Sequence, residues 1–118
     1  MNVLIVDDDK LARKGLIAVI DWEQYGLSVV GDVQNGKKAL EFLENHPVDL
    51  VFTDIDMPEM NGLELMKICK ESHPETDFVI FSVYEDFSFA RQALRLGALD
   101  YISKIEFDPE ECDTILKK

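Results

Sequence analysis

Five short apolar runs, separated by stretches of helical periodicity, restrict this 118-residue chain to a narrow set of folds. The runs are Val3-Leu4-Ile5-Val6, Leu27-Ser28-Val29-Val30, Leu50-Val51-Phe52, Phe78-Val79-Ile80-Phe81 and a weaker Tyr101-Ile102. The first, third and fourth are almost continuously apolar. Strands read that way when a parallel sheet is covered on both faces, whereas a strand with one wet face alternates. Between the runs, Leu11, Ala12, Gly15, Leu16, Val19 and Ile20 recur at helical spacing. So do Ala39, Leu40 and Leu43, then Leu65, Met66, Ile68 and Cys69, then Ala90, Ala93, Leu94 and Gly97. Asn35 and Asp86 suit N-caps, and Gly97 suits the position just past a helix. Asp108-Pro109-Glu110-Glu111 opens a last helix that is cut short at Lys118, so residues 1–118 are expected to be one domain at the front of a longer protein. The alternation predicts a doubly wound α/β fold: a five-stranded parallel sheet with right-handed crossovers and helices on both faces.

Composition narrows the partners. A hydrophobic fraction of 47% and a charged fraction of 31% are those of an ordinary folded domain. Twelve Lys and Arg against 24 Asp and Glu leave a net charge of −12. Such a surface repels phosphate backbones, so this domain is not expected to touch nucleic acid itself. No apolar run approaches the roughly 20 residues that cross a bilayer. The N-terminus lacks the basic region of a secretory signal. Cys69 and Cys112 both fall in helix-like patterns, and reduced thiols in a cytoplasmic protein are expected.

In sheets of this class, chemistry collects beyond the carboxyl ends of the strands, where the strand order reverses. The first apolar run ends in Asp7-Asp8-Asp9. The third ends in Thr53-Asp54, followed by Ile55-Asp56-Met57-Pro58. The fourth ends in Phe81-Ser82 and the fifth in Ser103-Lys104. Like charges held close repel, so acids at two neighbouring strand ends make sense around a divalent cation. Oxygen ligands beside a phosphate partner suit Mg²⁺. Asp8 and Asp54 are expected as direct carboxylate ligands and Asp7 as a direct or water-bridged one, with Asp9 as a helix N-cap. Asp54 is the candidate nucleophile, since a carboxylate can attack phosphorus to give an acyl phosphate. Lys104 and the Ser82 hydroxyl would then contact the phosphoryl oxygens that the cation leaves uncovered.

These residues, in this order, resemble the receiver domain of bacterial two-component response regulators. The match runs from Val3-Leu4-Ile5-Val6-Asp7-Asp8-Asp9 through Thr53-Asp54-Ile55-Asp56-Met57-Pro58-Glu59-Met60-Asn61-Gly62 to Tyr101-Ile102-Ser103-Lys104. The resemblance implies the flavodoxin-like strand order 2-1-3-4-5 and a phosphoryl group taken from a sensor histidine kinase onto Asp54 with Mg²⁺. It implies that Asp7 and Asp8 hold the metal, with the Asp56 main-chain carbonyl as a further ligand. Lys104 would contact the phosphate, and Ser82 and Tyr101 would form the switch. The remodelled face of the fourth helix, fifth strand and fifth helix is where family members often dimerise. A phosphoacceptor regulatory domain, rather than an enzyme, is expected. The stretch from Ser82 to Phe87, with Ala90 to Ala98 after it, is similar to a subgroup fused to a helix-turn-helix DNA-binding domain of the arabinose-regulator type, which would lie outside these residues.

Two positions depart from the family pattern. Ile105 follows Lys104 where proline is usual, which affects the aim of the lysine because a cis bond is costly before other residues. Val83 stands where a smaller residue is common, which would restrict access to the acyl phosphate. Other readings of the acids are an intact but non-phosphorylated docking module and an aspartate-nucleophile phosphatase built on Asp54-Ile55-Asp56. A flavin carrier of the same fold is excluded by the charge of Asp7-Asp8-Asp9.

Overall fold

A computed structural model describes residues 1–82 and 87–103, apart from the side chain of Phe87. The expected cap at Asp86, the helix opened by Asp108, and Val83, Lys104, Ile105 and Cys112 lie outside the described residues. The elements in chain order are β1 (Asn2–Val6), α1 (Lys10–Val19), a 3₁₀ turn (Trp22–Tyr25), β2 (Ser28–Val33), α2 (Gly36–Asn45), β3 (Leu50–Thr53), α3 (Gly62–Ser72), β4 (Asp77–Ser82), α4 (Phe87–Arg95) and β5 (Asp100–Ser103). All four strand pairings are parallel, in the order β2-β1-β3-β4-β5.

Alternation along each strand sorts the core into two layers. Leu4, Val6, Val51, Phe78 and Ile80 turn to one face, where Ala39 and Leu43 of α2, Met66 and Cys69 of α3, and Ala93 of α4 cover them. Val3, Ile5, Phe52, Val79 and Phe81 turn to the other, against Leu16 of α1 and the segment Ile20, Trp22 and Leu27. Trp22 sets its ring edge-on to Phe52 with centroids 5.4 Å apart, and its indole N–H donates to the Ile17 carbonyl at 3.1 Å. That satisfies the one polar atom of a large apolar side chain.

Two elements differ from the sequence expectation. The second apolar run stops at Val30, yet β2 continues through Gly31 and Asp32 to Val33. Pairing to β1 overrides the poor strand preference of glycine and aspartate. The register slips between Val3 and Leu4, which face Val29 and Gly31 in turn. In α1 the expected apolar stripe is only partly buried. Leu11 is 83% exposed and Val19 47%, while Arg13, Leu16 and Ile20 are buried. Positions 13, 16 and 20 lie at i, i+3 and i+7, so one helix face carries them all, including a charged side chain.

The reversal of strand order falls between β1 and β3. Val6 pairs with Thr53, so Asp7 and Asp54 leave the sheet side by side.

Candidate functional site

Local chain geometry builds the acid pocket from both strand ends. The Asp7 N–H donates to the Val33 carbonyl at 3.1 Å, so the β1–β2 ladder continues past the end of β1. An Asp7 carboxylate oxygen accepts from the Asp9 N–H at 2.9 Å, and Asp9 in turn accepts from the Leu11 N–H at 2.9 Å as the cap of α1. The chain therefore turns sharply into α1 straight after Asp8, and Asp9 is a helix cap as expected. On the neighbouring strand the Asp54 N–H donates to the Val6 carbonyl at 3.0 Å. Its carboxylate Oδ1 accepts from the Ile55 N–H at 2.7 Å, which fixes the plane of the group.

The loop after β3 is held from its far side. Asn61 and Glu64 form a reciprocal capping box at the start of α3, which satisfies two backbone donors at once. The Gly62 N–H donates to the Ile55 carbonyl at 2.9 Å. A Cβ at Gly62 would overlap the Asp54 carbonyl oxygen and lie 3.1 Å from the carbonyl carbon. Only glycine lets α3 begin this close to Asp54. A bend at Glu59, with φ +69°, turns the chain between the strand and the helix.

Asp7, Asp8 and Asp54 come together: one carboxylate oxygen from each lies within 4.8 Å of the others. Asp7 and Asp54 are buried, 4% and 6% exposed, while Asp8 opens to solvent. Two unit charges at that separation repel by about 1 kcal/mol in bulk water and about 3 kcal/mol at an effective dielectric of 20. A hard, all-oxygen set of three carboxylates, two of them shielded from water, has the chemistry that Mg²⁺ or Ca²⁺ selects. The residues present therefore fit a small divalent cation. On the β2 side, a cleft of about 460 Å³ opens from Asp8, lined by Lys10, Gln34, Asn35 and Glu59 among others.

The remaining expected residues stand as follows. Asp56 is exposed in the loop after β3. Ser82 ends β4, is fully buried and pairs with Ser103 of β5. Tyr101 is half-buried against the core layer that contains Ala93 and Ala98.

Sequence reasoning did not single out Arg13 and Asp32. The Arg13 guanidinium donates from Nη1 to the Asp7 main-chain carbonyl at 2.6 Å and from Nε to the Asp32 carboxylate at 2.9 Å. Lys14 joins Asp32 at 3.2 Å. The Arg13 hydrogen bond, helped by Lys14, holds the Asp32 carboxyl below its ordinary range against the opposing effect of partial burial. The available signal was an arginine on the same helical face as Leu16 and Ile20.

Comparison with known proteins places this arrangement. Residues 3–117 match the response regulator receiver domain family. The chain belongs to that family. Among curated relatives, this receiver domain is 34% identical over 103 residues to the transcriptional regulatory protein YesN of Bacillus subtilis (strain 168), itself uncharacterized. That match covers 87% of the chain but 28% of YesN, so the receiver domain spans under a third of that relative. Among solved structures, the REC domain of AraT, a response regulator from Geobacillus stearothermophilus, is 37% identical with a TM-score of 0.87, over 98% of this chain and 88% of that one. A two component transcriptional regulator AraC from Clostridium phytofermentans ISDg is 33% identical with a TM-score of 0.87, over 99% of this chain and 90% of that one. The receiver fold and the strand order expected from the motifs are thus both observed. Among the described residues no helix is long and apolar enough to cross a membrane.

Proposed function

We propose that this receiver domain accepts a phosphoryl group on Asp54 from a sensor histidine kinase and passes the change to an output domain outside residues 1–118. The observation that carries the reading is the meeting of the Asp7, Asp8 and Asp54 carboxylates, from β1 and β3, within 4.8 Å. A carboxylate oxygen of Asp54 forms the new P–O bond as the P–N bond of a phosphohistidine breaks, and the imidazole leaves with the bonding pair and takes up a proton. The Ile55 N–H holds the carboxylate plane during the approach, a positioning contribution of the kind that dominates phosphoryl transfer.

Mg²⁺ would be held by the carboxylates of Asp7, Asp8 and Asp54 and the Asp56 main-chain carbonyl, and would supply positive charge to offset the acids and the transferred oxygens. Lys104 and Ser82 take further phosphoryl oxygens. The new charge draws the Ser82 hydroxyl toward the phosphate and lets Tyr101 turn inward, which remodels the surface of α4 and β5. Burial of Ser82 at the end of β4 and partial burial of Tyr101 at the α4 side support this coupling. The remodelled face serves dimerisation and control of a DNA-binding output in the cytoplasm. The domain acts once per phosphoryl group received, as a regulatory acceptor and not as an enzyme with turnover.

The test is intact-mass analysis after incubation with Mg²⁺ and acetyl phosphate. One phosphoryl mass per chain is expected, absent from Asp54→Asn and from samples stripped of divalent metal. An adduct that survives Asp54→Asn, or no adduct at all, would refute the assignment. Multiple turnover of a phosphomonoester would favour a phosphatase instead.

A further inference from the structure

We infer that Arg13, clamped by Asp32, is the positioning residue that sets the cation pocket; the inference rests on the cation reading of the acids given above. Arg13 is buried, at 8% exposure, although a guanidinium is among the groups most costly to remove from water unless it is paired. Its two contacts explain the burial. Nε is held by the Asp32 carboxylate at 2.9 Å, and Nη1 donates to the main-chain carbonyl of Asp7 at 2.6 Å.

That carbonyl is a significant point of attachment. It belongs to the planar peptide unit joining Asp7 to Asp8, and a rigid plane carries the directions of the Cα–Cβ bonds on either side of it. The other peptide of Asp7 is held as well, because its N–H donates to the Val33 carbonyl of β2. Arg13 and β2 therefore fix the backbone from which both Asp7 and Asp8 project. Asp32 belongs to the same arrangement: it pairs with Ile5 in the β1–β2 register and so sits beside the strand end it helps to organise. The guanidinium thus acts on the acids through the peptide plane and its contact with the Asp7 main-chain carbonyl. Partners of this outer kind typically alter metal affinity by 10- to 100-fold when removed.

Charge and position make opposite predictions, which makes the idea testable. If Arg13 mattered only as a positive charge near the acids, Arg13→Met would remove a repulsive neighbour and tighten Mg²⁺ binding. If Arg13 positions the acids, the same change weakens binding by 10-fold or more. The experiment is calorimetric titration of the metal-free chain with MgCl₂, for wild type, Arg13→Met, Arg13→Lys and Lys14→Met, with circular dichroism to establish that each is folded. Lys14 is half exposed and touches Asp32 alone of this group, so Lys14→Met reports the loss of a nearby charge without loss of the clamp.

The expected result is weaker binding in Arg13→Met, an intermediate loss in Arg13→Lys, which keeps the charge without the planar fork, and unchanged or tighter binding in Lys14→Met. Equal or tighter binding in Arg13→Met overturns the inference while leaving the cation reading intact. Should Arg13→Met not fold, Arg13→Lys decides, and wild-type affinity there overturns it. A wild-type chain that takes up no Mg²⁺ would overturn the cation reading first and this inference with it.

Discussion

Gly62→Ala tests the close approach on which the geometry of Asp54 depends. The added Cβ would overlap the Asp54 carbonyl oxygen, with the Asp54 carbonyl carbon at 3.1 Å and Ile55 Cα at 3.2 Å. All three are backbone atoms and none can swing aside as a side chain would. Restoring ordinary separation requires the start of α3 to retreat by on the order of 1 Å. That retreat stretches the 2.9 Å hydrogen bond from the Gly62 N–H to the Ile55 carbonyl. Overpacking costs about 1–3 kcal/mol, and loss of the hydrogen bond about 0.5–1.5 kcal/mol. Alanine recovers about 1 kcal/mol through its better helix preference. The net expectation is a destabilisation of about 0.5–3.5 kcal/mol, read as a lower urea midpoint with unchanged slope. Gly15 supplies an internal control, since nothing lies within 4 Å of a Cβ built there in the exposed middle of α1. Gly15→Ala should stabilise by about 0.5–1 kcal/mol. The same substitution thus has opposite signs at two sites of one domain. Phosphorylation by acetyl phosphate should slow at least 10-fold in Gly62→Ala and stay unchanged in Gly15→Ala, because displacements of about 1 Å can cost 100-fold. A Gly62→Ala chain as stable and as reactive as wild type would refute the reasoning.

Three further expectations concern stability and reactivity. The Asp32 carboxyl is held below its ordinary value of 3.8, so its contribution is complete above that pH and lost as acid titrates the folded group; Asp32→Asn should cost about 1–3 kcal/mol at pH 7, a gap that narrows below pH 3.8 in urea melts and would contradict the pairing if it persisted there unchanged. Burial pushes the Cys69 thiol from 9.0 up to about 11, so its stabilising effect is present below pH 9 and fades above it; peptide mapping after alkylation at pH 8 should find Cys69 unmodified in the native chain and modified in denaturant, and fast native labelling would count against burial. Glu59 holds a left-handed φ of +69°, a conformation costing a non-glycine residue about 1–2 kcal/mol; after the extra entropy that glycine loses on folding, Glu59→Gly should raise the urea midpoint by about 0.5–1 kcal/mol equivalent, and a lower midpoint would argue that the bend is relaxed.

The layered α/β architecture was legible in the sequence because strands buried on both faces need short unbroken apolar runs, and Val3–Val6, Leu50–Phe52 and Phe78–Phe81 have them. Asp7, Asp8 and Asp54 were legible because they stand at the ends of such runs, and the parallel register of β1 with β3 then brings them within 4.8 Å. The caps at Asp9 and Asn35 were readable for the same reason: the interactions span two or three residues. What could not be read depends on partners distant along the chain. Arg13 looks like any polar residue on α1 until the β1–β2 register sets Asp32 beside it, 19 residues away. The extension of β2 through Gly31 and Asp32 runs against local preference and exists because β1 offers a ladder. Sequence alone thus determined which residues would line the strand ends, since burial and alternation are local patterns. Tertiary structure decided how tightly those ends are held, since the Arg13 clamp and the contact of Gly62 with Asp54 arise only when separate segments pack.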